Sequence, residues 1–455
     1  MGSLFTTLQT AANSLGVITQ GLQVTENNVA NASTPGYARQ SLETAALPFD
    51  LTVGLPGGVL STGTLSSRNA NAEQNVRTQQ SALGLATERT NDLGALQPYF
   101  SLTSSSSVSS TLSQFFNSFS QLSITPNDAT ARQTVINDAG QLAQAFQQTA
   151  NGLQSQAATS ATNAGGTVGD INSLATNIAQ LTTAGAAGAA GTQNAGVDAQ
   201  LNSDLEQLSQ YAQVTVLQQP NGSLNVYLNG RTPLVLGDQV SPISVASSNG
   251  VTQILDSTGR DITADFTTGQ LAGELQVTNT TIPGYLAQLN TLAQTVADQV
   301  NTALGNGVDT TGAAPVENLF TYDPTQGVAQ TLSVTSITPD QIAAASAGAP
   351  GGNGNALVVA ALAQAPEVGG ATFTEAYGNL AANVGRDISN AQDAQSSSQD
   401  LLTQAQSLRT QESGVSLDQE AAQLLQYQQS YEATSKLINV IDQTLQSLIN
   451  AVPTT

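Results

Sequence analysis

Three acidic residues crowd one short stretch: Asp256, Asp261 and Asp265, around Ser257-Thr258-Gly259-Arg260. Carboxylates spaced in this way can act as acid and base or hold a hard cation. The spacing of a calcium loop is not matched, and Arg260 supplies a neighbouring positive charge, so the stretch reads as a solvated hairpin. Asp309-Thr310-Thr311-Gly312 raises the same question and takes the same answer. Gly351-Gly352-Asn353-Gly354 follows Pro350 without the strand-to-helix frame that a dinucleotide or phosphate loop requires. The chain has no cysteine and no histidine, which removes Cys or His zinc sites, thiol nucleophiles, Ser-His-Asp triads and thioredoxin-like redox motifs. Its single lysine, Lys436, sits inside a helical pattern near the C-terminus and leaves no convergent Ser-Lys pair. No catalytic, cofactor-binding or metal-binding residue is assigned, and no enzyme is expected.

Composition narrows the classes further. At 455 residues the chain is long enough for about three domains. Ten Lys plus Arg against 32 Asp plus Glu give a net charge of −22. Such a surface repels phosphate backbones and anionic lipid, so neither nucleic acid nor membrane is an expected partner. Charged residues make up only 9% of the chain, and neutral polar side chains carry its solubility. Surfaces of that kind suit close packing against other copies. The N-terminal twenty residues have no basic start and no continuous apolar core, so a cleaved signal peptide is not expected. No run of about 18 apolar residues predicts a spanning helix.

What must position any function is the pair of chain ends. Leu4, Leu8, Ala11, Leu15, Ile18, Leu22, Thr25 and Val29 recur in steps of four and three, the spacing of a helix that buries one narrow seam. The far end repeats it with Leu424, Tyr427, Tyr431, Thr434, Ile438, Ile441, Leu445, Leu448 and Val452. A lone stripe is by default the core face of a bundle helix. Two stripes of matching length predict an N-to-C coiled coil that also contacts other subunits. In that register Tyr427 and Tyr431 belong to core or interface rather than to an aromatic binding patch.

Between the ends the organisation changes several times. Thr34-Pro35-Gly36 ends the first helix; Pro48, Gly54, Pro56, Gly57 and Gly58 mark an extended, turn-rich stretch to about Ser67. Helical patterns occupy 68–96, 129–156 and 168–181, and the Ala/Gly run 184–191 reads as a loop between helices. From Tyr211 the period becomes two. Val214 and Val216, then Leu224, Val226 and Leu228, flank a Pro220-Asn221-Gly222 turn; more short strands follow with turns at Asn229-Gly230, Asn249-Gly250 and Ser257-Thr258-Gly259. Helices are predicted again at 283–304 and 372–411, with a Gly, Ala and Pro-rich stretch of one short strand, 331–336, between them. The fold class is therefore mainly α with an inserted β-rich domain, an α+β multidomain chain. Three bodies are expected: 1–66 with 412–455, a terminal coiled coil; 67–210 with 281–304 and 371–411, a discontinuous helical bundle; and 211–280 with 305–370, an outer β-rich module.

One constellation is more specific. The segment Asn27-Asn28-Val29-Ala30-Asn31-Ala32-Ser33-Thr34-Pro35-Gly36-Tyr37-Ala38-Arg39-Gln40 is a helix end rich in short amides followed by a Pro-Gly turn. It resembles the N-terminal signature of axial proteins of the bacterial flagellum, and the Gly-Tyr-Ala-Arg-Gln continuation looks most like the hook-associated protein 1 family. Gly414-Val415-Ser416-Leu417-Asp418-Gln419-Glu420-Ala421-Ala422-Gln423-Leu424 and Tyr427-Gln428-Gln429-Ser430-Tyr431-Glu432-Ala433 resemble that family's closing motif. Between them, Pro233-Leu234-Val235-Leu236-Gly237 and Gly269-Gln270-Leu271-Ala272-Gly273-Glu274-Leu275 are similar to the family more loosely. The chain departs where many relatives carry a histidine after a Val300-Asn301 pair.

The resemblance implies a structural subunit at the hook-filament junction, exported unfolded through the flagellar type III apparatus without a cleaved signal. The implied partners are copies of itself in a ring, the hook protein, the next junction protein (hook-associated protein 3) and an export chaperone. The termini would line the tube wall, stay loosely ordered before assembly, and leave the β module outward. To the two seams it adds Asn31, Pro35, Gly36, Tyr37, Arg39 and Gln40 as interface residues. Hook and rod proteins share the Asn31-to-Tyr37 signature on mostly β bodies, and flagellin lacks the closing motif. A secreted adhesin is the alternative from another class.

Overall fold

A computed structural model describes residues 2–48, 58–186, 194–219 and 223–451. Val452, the Pro220-Asn221-Gly222 turn, Gly54 to Gly57 and the 187–191 part of the Ala/Gly run lie outside them. In chain order the elements are α1 (Gly2–Ala30), β1 (Gln40–Ala46), β2 (Val59–Ser66), α2 (Ala70–Gly94), α3 (Val108–Ile124), α4 (Ala129–Ala186) and α5 (Ala195–Tyr211). Then come β3 (Val214–Gln218), β4 (Leu224–Leu228), β5 (Thr232–Leu236), β6 (Gln239–Val240), β7 (Ser244–Ser248), β8 (Val251–Leu255), α6 (Gln270–Gln276) and α7 (Ile282–Gly305). The remainder is β9 (Gly307–Val308), β10 (Phe320–Thr321), α8 (Val328–Thr331), β11 (Ser333–Val334), β12 (Ala345–Ser346), α9 (Gly354–Ala361), α10 (Phe373–Ser413) and α11 (Leu417–Ala451). The mainly α chain with a β insert is what the residues predict.

The ends form one body. α1 and α11 pack antiparallel, Asn28 lying beside Glu420 and Gly21 beside Tyr427. The stretch read only as extended and turn-rich is a hairpin, β1 paired antiparallel with β2 from Gln40↔Ser66 to Ala46↔Val59, with a bulge at Glu43/Thr44. It runs back along α1, so Gly58 reaches Thr10. Next to this body α2 and α10 form a long antiparallel pair, sealed by Val76 against Leu402 and Ala405.

Beyond that pair the chain builds two cores on one spine. α4 runs 58 residues without interruption, through Gly165-Gly166, where the sequence predicts two helices and a break. Helix-weakening glycines are tolerated there because packing on either side holds the helix. Its first half, from Val135 to Leu153, joins Phe115 and Phe119 of α3, Leu292 and Val296 of α7, and Tyr377 and Val384 of α10. Its second half, from Ala164 to Ala179, meets Leu205 and Leu208 of α5 and the buried face of the meander β3-β4-β5-β6.

Turn chemistry fixes the strands. Asn249 and Gly250 both take positive φ in the two-residue loop between β7 and β8, the geometry of a type I′ hairpin, and Asn229-Gly230 does the same after β4. The segment 305–370, expected to share a module with 211–280, contributes Leu319, Phe320, Leu332, Ile342 and Val359 to the first core instead. Its strands are two residues long and pair only with one another, so they offer no edge to the meander. Arg132, 1% exposed, ties this segment down by donating to the carbonyls of Pro339 and Ile342.

A Cβ at Gly165 or Gly166 would meet nothing within 4 Å. Each Gly→Ala substitution should raise the stability of the spine by about 0.5–1 kcal/mol, read as a higher chemical-denaturation midpoint. A lower midpoint would show that the break in the sequence pattern serves the fold.

Candidate assembly interface at the paired termini

The acidic cluster disperses into separate turns. Asp256 accepts from Thr258 and Arg260, Asp261 from Thr263 and Gln253, and Asp265 from Thr232. The Thr258 hydroxyl, ahead of the other donors, holds the Asp256 carboxyl well below the usual range. Asp309 binds Thr311 and the Ala313 amide in the same way. Among the described residues no group of three His, Cys, Asp or Glu is placed to hold a metal ion. The Gly351 to Gly354 stretch starts α9, with its groups taken by Asn127 and by the Ser123 carbonyl.

The end motifs converge. Asn28 is 1% exposed and uses all four of its hydrogen-bonding positions. Its Nδ2 donates to the Gln40 carbonyl (2.8 Å) and to Oε2 of Glu420 (3.0 Å). Its Oδ1 accepts from the Tyr37 hydroxyl and the Gln40 amide, both at 2.9 Å. Glu420 is fully buried, and Arg39 Nε donates to its other oxygen at 2.6 Å. Arg39 Nη2 reaches Gln423 one turn on. Burial, with the Glu420 charge second, pushes the Tyr37 phenol above its ordinary value, which keeps it a donor.

Backbone joins the same knot. The Arg39 amide donates to the Ser413 carbonyl, and the Ser67 amide and hydroxyl both donate to the Arg39 carbonyl. The start of β1, the end of β2 and the α10-α11 corner are therefore tied at one residue. Gly36, at φ +72°, presses on the Ala199 carbonyl of α5, so any Cβ would clash. Arg68 extends the tie outward: it donates to the Gly36 carbonyl (2.6 Å) and pairs with Glu73 (2.6 Å) and Asp198 (2.8 Å). Arg409 continues the chain of charges to Glu206 (2.7 Å) and Glu73 (3.3 Å).

The seams are half packed. Leu4, Leu8, Leu15, Ile18 and Leu22 on α1 are half-buried, as are Leu424, Tyr427, Ile438 and Leu445 on α11; Ile441 is buried. Val29, Tyr431 and Leu448 are exposed. The tightest line on α1 keeps Ala11 and Thr25 of the a/d register and leaves it at Gly21 and Asn28. At Gly21 the Tyr427 ring lies where a Cβ would stand, 2.5 Å from it. In the signature, Gln40 is buried, Gly36, Tyr37, Arg39 and Asn31 are half-buried, and Pro35 is exposed. Asn31 stays local, bonding the Asn27 carbonyl and Thr34. The periodicity passed over Asn28, Glu420, Gly21 and Arg68. The signal available for Arg39, Arg68 and Arg409 is scarcity: with nine arginines and one lysine in the chain, each cation is worth tracing.

Replacing Asn28 by Leu fills the space but strands Gln40, Tyr37 and one oxygen of Glu420. This should destabilise the terminal body by about 3–5 kcal/mol. Limited proteolysis should then cut within α1 and α11 first, with the two cores still resistant; unchanged protection of the termini would disprove the role of the knot.

Comparison with known proteins points the same way. The family model described as "Flagellar hook-associated protein FlgK helical domain" matches residues 93–320, half of the chain, and the model of the flagellar basal body rod FlgEFG protein C-terminal region matches 406–451. Flagellar hook-associated protein 1 of Bacillus subtilis (strain 168) is 26% identical over 99% of this chain and 99% of its own length. The protein of the same name from Escherichia coli (strain K12) is 25% identical over 68% of this chain and 58% of its own. The flagellar hook junction protein FlgK from Burkholderia pseudomallei shares the fold, with a TM-score of 0.68 at 15% identity over 74% of this chain and 99% of that one. The chain belongs to the FlgK family of flagellar hook-associated proteins.

Proposed function

We propose that the antiparallel α1-α11 pair is the assembly face of this chain, and that copies meet along it in a ring at the distal end of the hook. The chain is a structural protein of the flagellar hook-filament junction, associated with other axial components. In this reading hook protein lies on one side of the ring and hook-associated protein 3 on the other. The terminal body, 1–66 with 412–455, lines the tube, and the meander faces outward. The subunit reaches the flagellum as an unfolded chain through type III export, without a cleaved signal, its termini covered by a chaperone before export and paired once the chain has folded.

One observation carries the proposal. α11 has packed one face on α1 and still exposes a second apolar stripe, with Leu425 58%, Leu437 49% and Val440 58% accessible. Phe5 on α1 is 67% accessible. Apolar surface left on an already paired helix is a place for another chain. Buried within a tube wall, it would add to the seam what the two-helix contact lacks.

The two faces predict different failures. Val440→Glu and Leu437→Glu should leave the isolated subunit folded yet block incorporation, so that cells bear hooks without filaments and shed flagellin into the medium. Leu22→Glu or Ile441→Glu should break the intramolecular seam as well, with loss of helical signal from the termini. Normal filaments with the Val440 and Leu437 variants would refute the second face.

A further inference from the structure

Three carboxylic side chains sit where the two cores meet. Glu88 and Asp92 are one turn apart on α2, Glu274 faces them from α6, and all three are more than nine-tenths buried. On α4 alongside, Gln156 and Ser160 fall between the part of the spine in the first core and the part in the second, and Thr167 lies at the start of the second part. We propose that Glu88, Asp92 and Glu274 form a proton-dependent joint between the cores, closed while the carboxyls are protonated and loosened as they ionise.

No cation is bonded to the cluster. Among the described residues none of the three makes an ion pair. α4 offers only neutral donors: Gln156 and Ser160 to Asp92, and Thr167 to Glu274. Its nearest charge, Asp170, is engaged with Tyr211. α6 adds Gln270, which donates to Glu274, and the turn 277–281 carries no titratable side chain. On α2, Arg89 follows Glu88, but its charge acts on Tyr285. From α5, Glu206 is paired with Arg409 and Asp204 accepts from Gln200; from α10, Asp387 accepts from the Tyr285 hydroxyl, Arg386 donates to Asn383, and Gln395 meets Thr87. Oε2 of Glu274 is buried without a partner, a costly position for a carboxylate and a lesser one for a neutral acid. Gly273 brings α6 so close that a Cβ there would stand 3.0 Å from that of Glu88, so the two helices touch at this point.

Burial pushes Glu274 up to about 8 and Glu88 to about 7, each raised further by its acidic neighbours; it raises Asp92 as well. The folded joint thus keeps protons that the unfolded chain releases near the ordinary value of 4.5. Its stability is full below that value and falls as the pH rises through 7 and 8.

Hydrogen exchange on the full chain at pH 6 and pH 9, expressed as protection factors, tests this. In the wild type, amides of α6 and of residues 156–167 should lose protection by about tenfold or more, the effect of one pKa unit. Glu274→Gln should retain most of it at pH 9, and Glu88→Gln, which disturbs no hydrogen bond of Glu274, should retain part. Unchanged protection in the wild type would overturn the proposal. So would an equal loss in wild type and Glu88→Gln, the variant to rely on if Glu274→Gln does not fold.

Discussion

A single asparagine governs how this chain closes on itself. Asn28 has no bond to spare, and its four bonds reach three local structures: the turn after α1, the first residue of β1 on both its amide and carbonyl, and the opening turn of α11. A buried amide with complete partners specifies geometry more than it adds stability, because a shifted register would leave several buried groups unpaired at once. Glu420 has the same logic with a charge attached. It tolerates full burial only because Arg39 and Asn28 arrive together.

The consequences spread outward along arginines. Arg39 binds backbone from β2 and from the corner before α11, and Arg68 begins beside that point and reaches Gly36, Glu73 and Asp198. Arg409 closes the path on α5. The body made of chain ends is thereby held at a set angle to the body that carries the cores. In a chain with so few cations, most of the ion pairs among the described residues are spent on this one joint rather than scattered over the surface, where each would contribute little.

The sequence displayed the features that depend on nearest neighbours. Stripes of Leu and Ile at steps of three and four, and Asn-Gly between short alternating runs, state their geometry locally, and α1, α11 and the hairpin turns stand where those patterns put them. What stayed hidden depends on distant partners. Asn28 is a polar residue off the apolar register, and nothing beside it announces Glu420. Gly165-Gly166 looks like a break because its support comes from α6, α5 and the sheet. Leu319, Phe320 and Ile342 show no period, so their place in the first core could not be read from spacing. Phe115, Phe116 and Phe119 on α3 form an aromatic cluster at helical spacing, a signal that the sequence does carry.

The contact that closes the terminal body joins residues 392 positions apart. Closing so long a loop is slow, though the added entropic cost grows only with the logarithm of length. Every other core can form from segments already present, but this one must wait for Glu420 and the helix behind it. A copy that is still emerging, or has lost its last few dozen residues, lacks half of the pair. The chain thus carries its own check on completeness, since only a finished subunit can present the paired surface.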